Sequence, residues 1–274
     1  MIIATAQSVV SGNVGENGVE IRKLMRRAAK RGTRLVHFTE GALSGYTRDQ
    51  VARWQNFDFD AIAEELAAIA ALAGELGLWT VVGSAHRLTA PNRPHNCLYV
   101  ISDAGAIVAR YDKRRCSHNE VNGWYTPGFE PCVFDVDGIR FGCALCIEIQ
   151  FPELFVEATG QGVECLLFSA YSRNPIFATL AQGYAETGNY WLSYASPTNA
   201  SDSVPTRMIG PDGHVIARCR TGASTLSVNR IDREAPEWEI PLRRARPWRA
   251  TAREGAIYEA RRVDDPRSSV KTLI

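Results

Sequence analysis

Three turn signals set the framework of this chain. Asp103-Ala104-Gly105, Asp137-Gly138 and Pro211-Asp212-Gly213 each separate two short apolar runs: "NCLYVIS" from "AIVARYDK", "PCVFDV" from "IRFGCALCIEI", and "TRMIG" from "HVIARC". Glycine beside Asp or Pro suits a tight antiparallel turn, so each pair of runs reads as a hairpin. Around the hairpins the pattern alternates between strand and helix. "MIIATAQSVV", "RLVHF" and "WTVVGSAHRL" read as strands, separated by the helical stretches "GVEIRKLMRRAAKRG" and "DFDAIAEELAAIAALAGELG". In the first helix apolar residues recur at helical spacing up to Gly32, a C-cap residue; in the second, Asp58 or Asp60 can cap the start. After the second hairpin the alternation resumes with "FPELFVEATGQG", "VECLLFSA", "PIFATLAQGYAETG" and "YWLSYASP", and "STLSVNRI" reads as a last strand.

Such a series is expected to pack sheet on sheet with helices outside. No Ser/Gly/Pro-rich linker interrupts it before about residue 235. Residues 1–236 are therefore expected to form one domain and 237–274 a C-terminal tail. The tail is arginine-rich, carries Trp238 and Trp248, and reads as a solvated arm or as one packing on the domain or a partner subunit.

Composition excludes several functions. A formal net charge of +1 gives no field for nucleic acid. No run approaches the eighteen apolar residues of a membrane span, and the N-terminus lacks the basic start and apolar core of a secretory signal. Seven cysteines, an odd number without framework spacing, point to free thiols and a cytoplasmic protein.

Two of those cysteines stand in "FGCALCIEIQFPELF" as C-x-x-C, a spacing used for zinc and for redox pairs. Zinc would need two more ligands, and no two histidines sit at ligand spacing. A redox pair should open a helix, whereas this one ends an apolar run that reads as a strand, where residues three apart face opposite sides. No metal and no cofactor is therefore expected. Cys143 fits a small buried hydrophobe. Cys146 stands at the strand's end, just before a helix whose first turn holds Pro152 and Glu153. Backbone N–H groups at such a junction favour a thiolate and can hold an oxyanion.

A nucleophilic cysteine needs a base. None of the five histidines (His37, His86, His95, His118, His214) sits in a cysteine-protease context. Glu40 follows the strand "RLVHF" and precedes the loop "GALSGY"; Lys113 ends the strand "ARYDK". A carboxylate, a lysine and a cysteine, each at a strand end, make a coherent acyl-transfer site.

In order along the chain, "FTEGALSGY", "GAIVARYDK", "NEVNGWYTPG" and "CALCIEIQFPELF" resemble the nitrilase superfamily of carbon–nitrogen hydrolases, as does the late hairpin "MIGPDGHVIAR". The resemblance covers roughly residues 1 to 230. It implies a four-layer α-β-β-α sandwich and a Glu-Lys-Cys triad at Glu40, Lys113 and Cys146, with Glu120 as a second glutamate. It further implies that the backbone N–H of Ile147 and Lys113 hold an oxyanion, and that a homodimer or larger homo-oligomer forms. Tyr46, Trp124, Tyr125 and Tyr171 are candidate substrate-binding residues. The implied reaction is hydrolysis of a small amide through a cysteine thioester. Nitrile hydrolysis and N-carbamoyl hydrolysis use the same triad, acyl transfer to an amine shares the thioester, and a non-catalytic scaffold of the same fold is the alternative of another class.

The sequence departs from the usual pattern at five positions. Thr39 replaces a proline before Glu40, and Glu148 and Gln150 replace the Asp and Arg that follow the cysteine in many amidase-like members. Tyr184 and Gly188 replace an arginine and an asparagine of the next motif, so the usual bracing there is expected to differ.

Overall fold

In the computed structural model, residues 1–47 and 49–272 are described. The first half runs β1 (Ile2–Gln7), α1 (Val14–Ala29), β2 (Leu35–His37), α2 (Phe59–Leu76), β3 (Trp79–His86), β4 (His95–Ile101) and β5 (Ile107–Asp112). The second runs β6 (Val133–Val136), β7 (Ile139–Leu145), α3 (Pro152–Gly160), β8 (Cys165–Ser169), α4 (Ile176–Gly188), β9 (Trp191–Ala195), β10 (Arg207–Ile209), β11 (Val215–Arg218) and β12 (Thr225–Arg230). All three turn signals close hairpins.

Local chemistry explains the boundaries. α1 begins at Val14, earlier than its apolar pattern suggests, because the Asn13 side chain accepts from the Glu16 N–H. Of the two candidate caps of α2, Asp58 is the one used; the helix stops at Gly77, in the left-handed conformation.

The strands form two six-stranded sheets, ordered β12-β1-β2-β3-β4-β5 and β11-β10-β9-β8-β7-β6. In each, three neighbouring strands are parallel (β1-β2-β3 and β7-β8-β9) and the others, hairpin strands and β12, add antiparallel. One face of the first sheet buries Ala4, Val36, Phe38 and Val82 against Ile21, Leu24 and Ile69 of α1 and α2. The second sheet buries Leu166, Phe168 and Leu192 against Phe155, Phe177 and Ala181 of α3 and α4.

The alternate residues of both sheets face each other. Thr5 Oγ1 lies 2.6 Å from Ser193 Oγ, and His37 bridges Ser193 (2.9 Å) and Ser169 (2.7 Å) through its two ring nitrogens. Burial pushes the His37 pKa down to about 3, so the ring is neutral. A neutral imidazole donates at one nitrogen and accepts at the other, and hydroxyls satisfy both. Helix, sheet, sheet and helix thus stack as the expected α-β-β-α sandwich.

Met1–Asp232 form one compact unit and Arg233–Ile274 a second. The second, expected only as a tail, is helical: a turn at Pro236–Trp238, a wide turn at Glu239–Ala245, and α5 (Arg246–Glu254), which has proline in its first turn and ends at Gly255. Among the described residues no helix is long and apolar enough to cross a membrane.

Candidate active site

Three strand ends converge. Glu40 lies beyond β2, Lys113 follows β5, and Cys146 follows β7, so the first sheet supplies the carboxylate and the ammonium while the second supplies the thiol. Glu40 can sit this close to the first sheet because β3 carries Gly83. A Cβ there would stand 2.1 Å from the Thr39 carbonyl oxygen and 2.9 Å from Glu40 Cα. At β7 the chain leaves the strand through Cys146, whose φ of +49° is unusual for a non-glycine residue. A short 3-10 helix, Cys146–Gln150, intervenes before α3 and makes the junction sharper than the pattern suggested.

The acid–base groups are buried and paired. Lys113 Nζ lies 2.9 Å from Glu40 Oε1 and 2.8 Å from Glu120 Oε1. The Asn96 side-chain amide donates to Glu40 Oε1 (2.7 Å), the Tyr171 backbone N–H to Glu40 Oε2 (2.9 Å), and the Ser117 N–H to Glu120 Oε2 (2.8 Å). Glu40 is 0% exposed, Lys113 1%, Glu120 3% and Cys146 6%, so water cannot screen these charges. Burial opposes the Lys113 ammonium, but Glu40 and Glu120 outweigh it and hold its pKa well above the ordinary value. Burial likewise opposes the Glu120 carboxylate, and Lys113 and Ser117 reverse it, leaving the pKa lowered.

Cys146 behaves differently from the junction's bare chemistry. Burial first, and then the negative charge of Glu40, push its thiol well above the ordinary range, with Lys113 opposing. The resting group is a thiol facing Glu40, where the strand-to-helix junction alone suggested a thiolate. The reason is burial first and then the neighbouring carboxylate, which comes from the other sheet. The Ile147 N–H lies in the first turn of the 3-10 helix, where backbone N–H groups have no acceptor within the helix.

The aromatic candidates divide. Tyr46 and Tyr171 stack with centroids 5.0 Å apart; Gln50 donates to the Tyr171 hydroxyl at 2.7 Å, and the Tyr46 hydroxyl reaches Glu120 Oε1 at 3.4 Å. Tyr125 is buried, its N–H bonded to the Glu120 carbonyl and its ring tilted against Trp54. Trp124 packs edge-on to Trp54 at 6.4 Å. Asn96, Ser117 and the Tyr171 N–H were not legible as partners; the only sequence trace of Asn96 is a polar residue inside the apolar run of β4. Glu153 is exposed at the start of α3, 3.9 Å from Arg115.

The departures noted at Tyr184 and Gly188 are filled by packing. The Tyr184 ring stacks on Phe155 at 4.0 Å and joins α4 to α3. A Cβ at Gly188 would stand 2.1 Å from the Tyr190 ring. Among the described residues no group of three or more His, Cys, Asp or Glu could hold a metal ion.

The "Carbon-nitrogen hydrolase" family model matches residues 3–238. Deaminated glutathione amidase of Mus musculus is 27% identical over 255 residues, covering 84% of this chain and 77% of that protein. Its namesake from Escherichia coli O157:H7 is 25% identical over 232 residues, covering 79% and 85%. Among solved structures, an amidase from Nesterenkonia sp. superposes with a TM-score of 0.74 at 19% identity, over 83% of this chain and 89% of that one. A mutant of that amidase carries the acetamide moiety of fluoroacetamide covalently on its active-site cysteine (TM-score 0.73, 18% identity, covering 83% and 88%).

Proposed function

The chain belongs to the carbon–nitrogen hydrolase family, and from that premise we propose that it hydrolyses a small amide through a thioester on Cys146. The observation that carries this reading is the Lys113 ammonium clasped between two buried carboxylates, one of which faces the Cys146 thiol. The amidase relatives and the acetamide adduct on a neighbour's cysteine support the amide as substrate.

Glu40 takes the Cys146 proton, and the sulfur attacks the carbonyl carbon. Because the thiol's pKa is raised, proton transfer and attack proceed together, with the thiolate formed only as it is used. Charge gathers on the substrate oxygen, and the Lys113 ammonium and the Ile147 N–H hold it; loss of one such donor costs about 3–4 kcal/mol. Protonated Glu40 passes its proton to the leaving nitrogen, and the carbon–nitrogen bond breaks. Ammonia or an amine departs and a thioester remains. Glu40 then takes a proton from water, whose oxygen attacks the thioester. The carboxylic acid leaves, and Glu40 returns the proton to sulfur. Glu120 keeps Lys113 charged throughout: with Glu40 transiently protonated, the second carboxylate still neutralises the ammonium. Tyr46 and Tyr171 form a wall beside the two glutamates for the substrate to pack on.

The reading extends to a cytoplasmic homo-oligomer, supported by seven cysteines that are all free thiols and by the family resemblance. The arginine-rich segment after Glu237 is the proposed place for subunit contacts. Ammonia release from a panel of carboxamides, nitriles and N-carbamoyl compounds tests the chemistry. The wild type is expected to release ammonia from carboxamides and Cys146→Ala from none. Equal release by both proteins refutes the thioester, and release from nitriles or N-carbamoyl compounds alone moves the substrate to that class.

A further inference from the structure

Glu148 is 0% exposed and stands two residues beyond Cys146, yet the reaction above does not use it. Each of its oxygens receives two donors. The backbone N–H groups of Arg114 and Arg115 donate to Oε1 at 2.7 and 3.0 Å. The Tyr111 hydroxyl and the Leu145 N–H each donate to Oε2 at 2.7 Å. Arg114 and Arg115 immediately follow Lys113, and Leu145 immediately precedes Cys146. One side chain therefore grips both the backbone beside the ammonium and the backbone beside the thiol, two segments far apart in sequence.

We propose that Glu148 is a positioning residue: its carboxylate sets the spacing between Lys113 and Cys146, and with it the geometry that holds the oxyanion. This rests on the reading that Lys113 and Cys146 act in catalysis. Three physical points support it. Lys113 lies past the end of β5, so the next two N–H groups have left the strand ladder, and the buried Glu148 carboxylate supplies their acceptor. The Cys146 backbone is in a conformation that non-glycine residues avoid, and the reach of Glu148 back to the N–H ahead of the 3-10 helix fastens that turn, as a third-position glutamate does in a capping box. Burial pushes the Glu148 pKa up, and hydrogen bonds from the Arg115 N–H, the Tyr111 hydroxyl and the Leu145 N–H oppose that rise; three of the four partners are backbone N–H groups, which can only donate, so the ionised carboxylate is the form that accepts from all four. The same segments are joined again on the outside, where Arg114 pairs with Glu157 of α3 at 2.6 Å.

Glu148→Gln keeps the shape but sets an NH2 against at least one backbone N–H, so one side of the grip opens. Glu148→Asp keeps both acceptors on a stem one methylene shorter. The experiment measures kcat and KM for the amide found in the panel, and the pH profile of Cys146 alkylation by iodoacetamide. Wild type, both variants and Cys146→Ala are compared, with kcat taken per alkylatable Cys146 where that residue is present and per chain for Cys146→Ala. Glu148→Gln is expected to lose about 10–100-fold in kcat, up to the ~10²-fold that a 1 Å misplacement of a catalytic group can cost, with KM within about threefold. Its alkylation midpoint is expected to move to higher pH, because Lys113 lowers the thiol pKa and would lie farther away. Glu148→Asp recovers part of both effects. Should Glu148→Gln fail to fold, Tyr111→Phe removes a single donor and is expected to shift the profile the same way by less. A Glu148→Gln protein with wild-type kcat per site and a superposing profile overturns the proposal, as does an unshifted profile in Tyr111→Phe when Glu148→Gln cannot be made. If Cys146→Ala also retained activity, the catalytic reading itself would fall; inactive Cys146→Ala beside unaffected Glu148→Gln would remove only the role of Glu148.

Discussion

Gly83→Ala adds one methyl group outside the catalytic set, and the structure says what it must displace. The new Cβ would stand 2.1 Å from the Thr39 carbonyl oxygen and 2.9 Å from both Glu40 Cα and Gly41 N. All three are backbone atoms, so no side-chain rotation relieves the clash. Reaching an ordinary contact requires the Thr39–Gly41 segment to move by roughly 1 Å. The Glu40 carboxylate is held by Asn96 at 2.7 Å, Lys113 at 2.9 Å and the Tyr171 N–H at 2.9 Å. The shift would stretch these bonds to about 3.7–3.9 Å, past hydrogen-bond range. Overpacking of this kind costs about 1–3 kcal/mol of stability, and a 1 Å displacement of a catalytic group can cost ~10²-fold in rate. We expect Gly83→Ala to fold, to lose about 10²-fold in kcat and to retain most of its affinity for substrate. The assay is ammonia release per alkylatable Cys146, beside Gly183→Ala, whose Cβ on α4 meets nothing within 4 Å and which should be neutral or slightly stabilising. A Gly83→Ala enzyme with kcat within about threefold of wild type would refute the claim that this close approach positions Glu40.

Other perturbations follow from the same charges and contacts. Lys113→Met leaves Glu40 and Glu120 buried without their shared cation; it should abolish ammonia release and cost about 3–5 kcal/mol in denaturant titrations, and a variant as stable as wild type would contradict the pairing. For His37, whose pKa is about 3 in the folded protein, the unfolded chain takes up a proton below about pH 6.5 and the folded one does not. Stability should thus fall with acidification, approaching about 1.4 kcal/mol per pH unit between pH 6 and 5, with His86 adding in the same direction through its own lowered pKa; urea midpoints that stay level over that interval would argue against a neutral His37. Tyr46→Phe removes only a 3.4 Å contact to Glu120 and should change kcat and KM by less than about threefold, whereas Tyr46→Ala strips the stacked face of Tyr171 and should raise KM. Equal behaviour of the two Tyr46 variants in steady-state kinetics would remove the ring from the substrate wall.

Residue order alone carried the elements and their punctuation, because strand and helix periods, turn glycines and capping side chains act over a few neighbours. That is why the three hairpins, an aspartate cap at Asp58 or Asp60 and the junction at Cys146 were readable, and why the ordered motifs around Glu40, Lys113, Glu120 and Cys146 pointed to one family. The helices after Arg233 were not read from the sequence, since their turns are dominated by arginine and bury almost no apolar side chain. Tertiary structure decided the site's chemistry. The partners of Glu40 lie 56, 73 and 131 residues away, at Asn96, Lys113 and Tyr171. The raised pKa of Cys146, the close approach over Gly83 and the four-way grip of Glu148 likewise depend on which strand ends become neighbours. Electrostatics and close packing act through space in a buried, low-dielectric setting, so they were set only once the two sheets had stacked face to face.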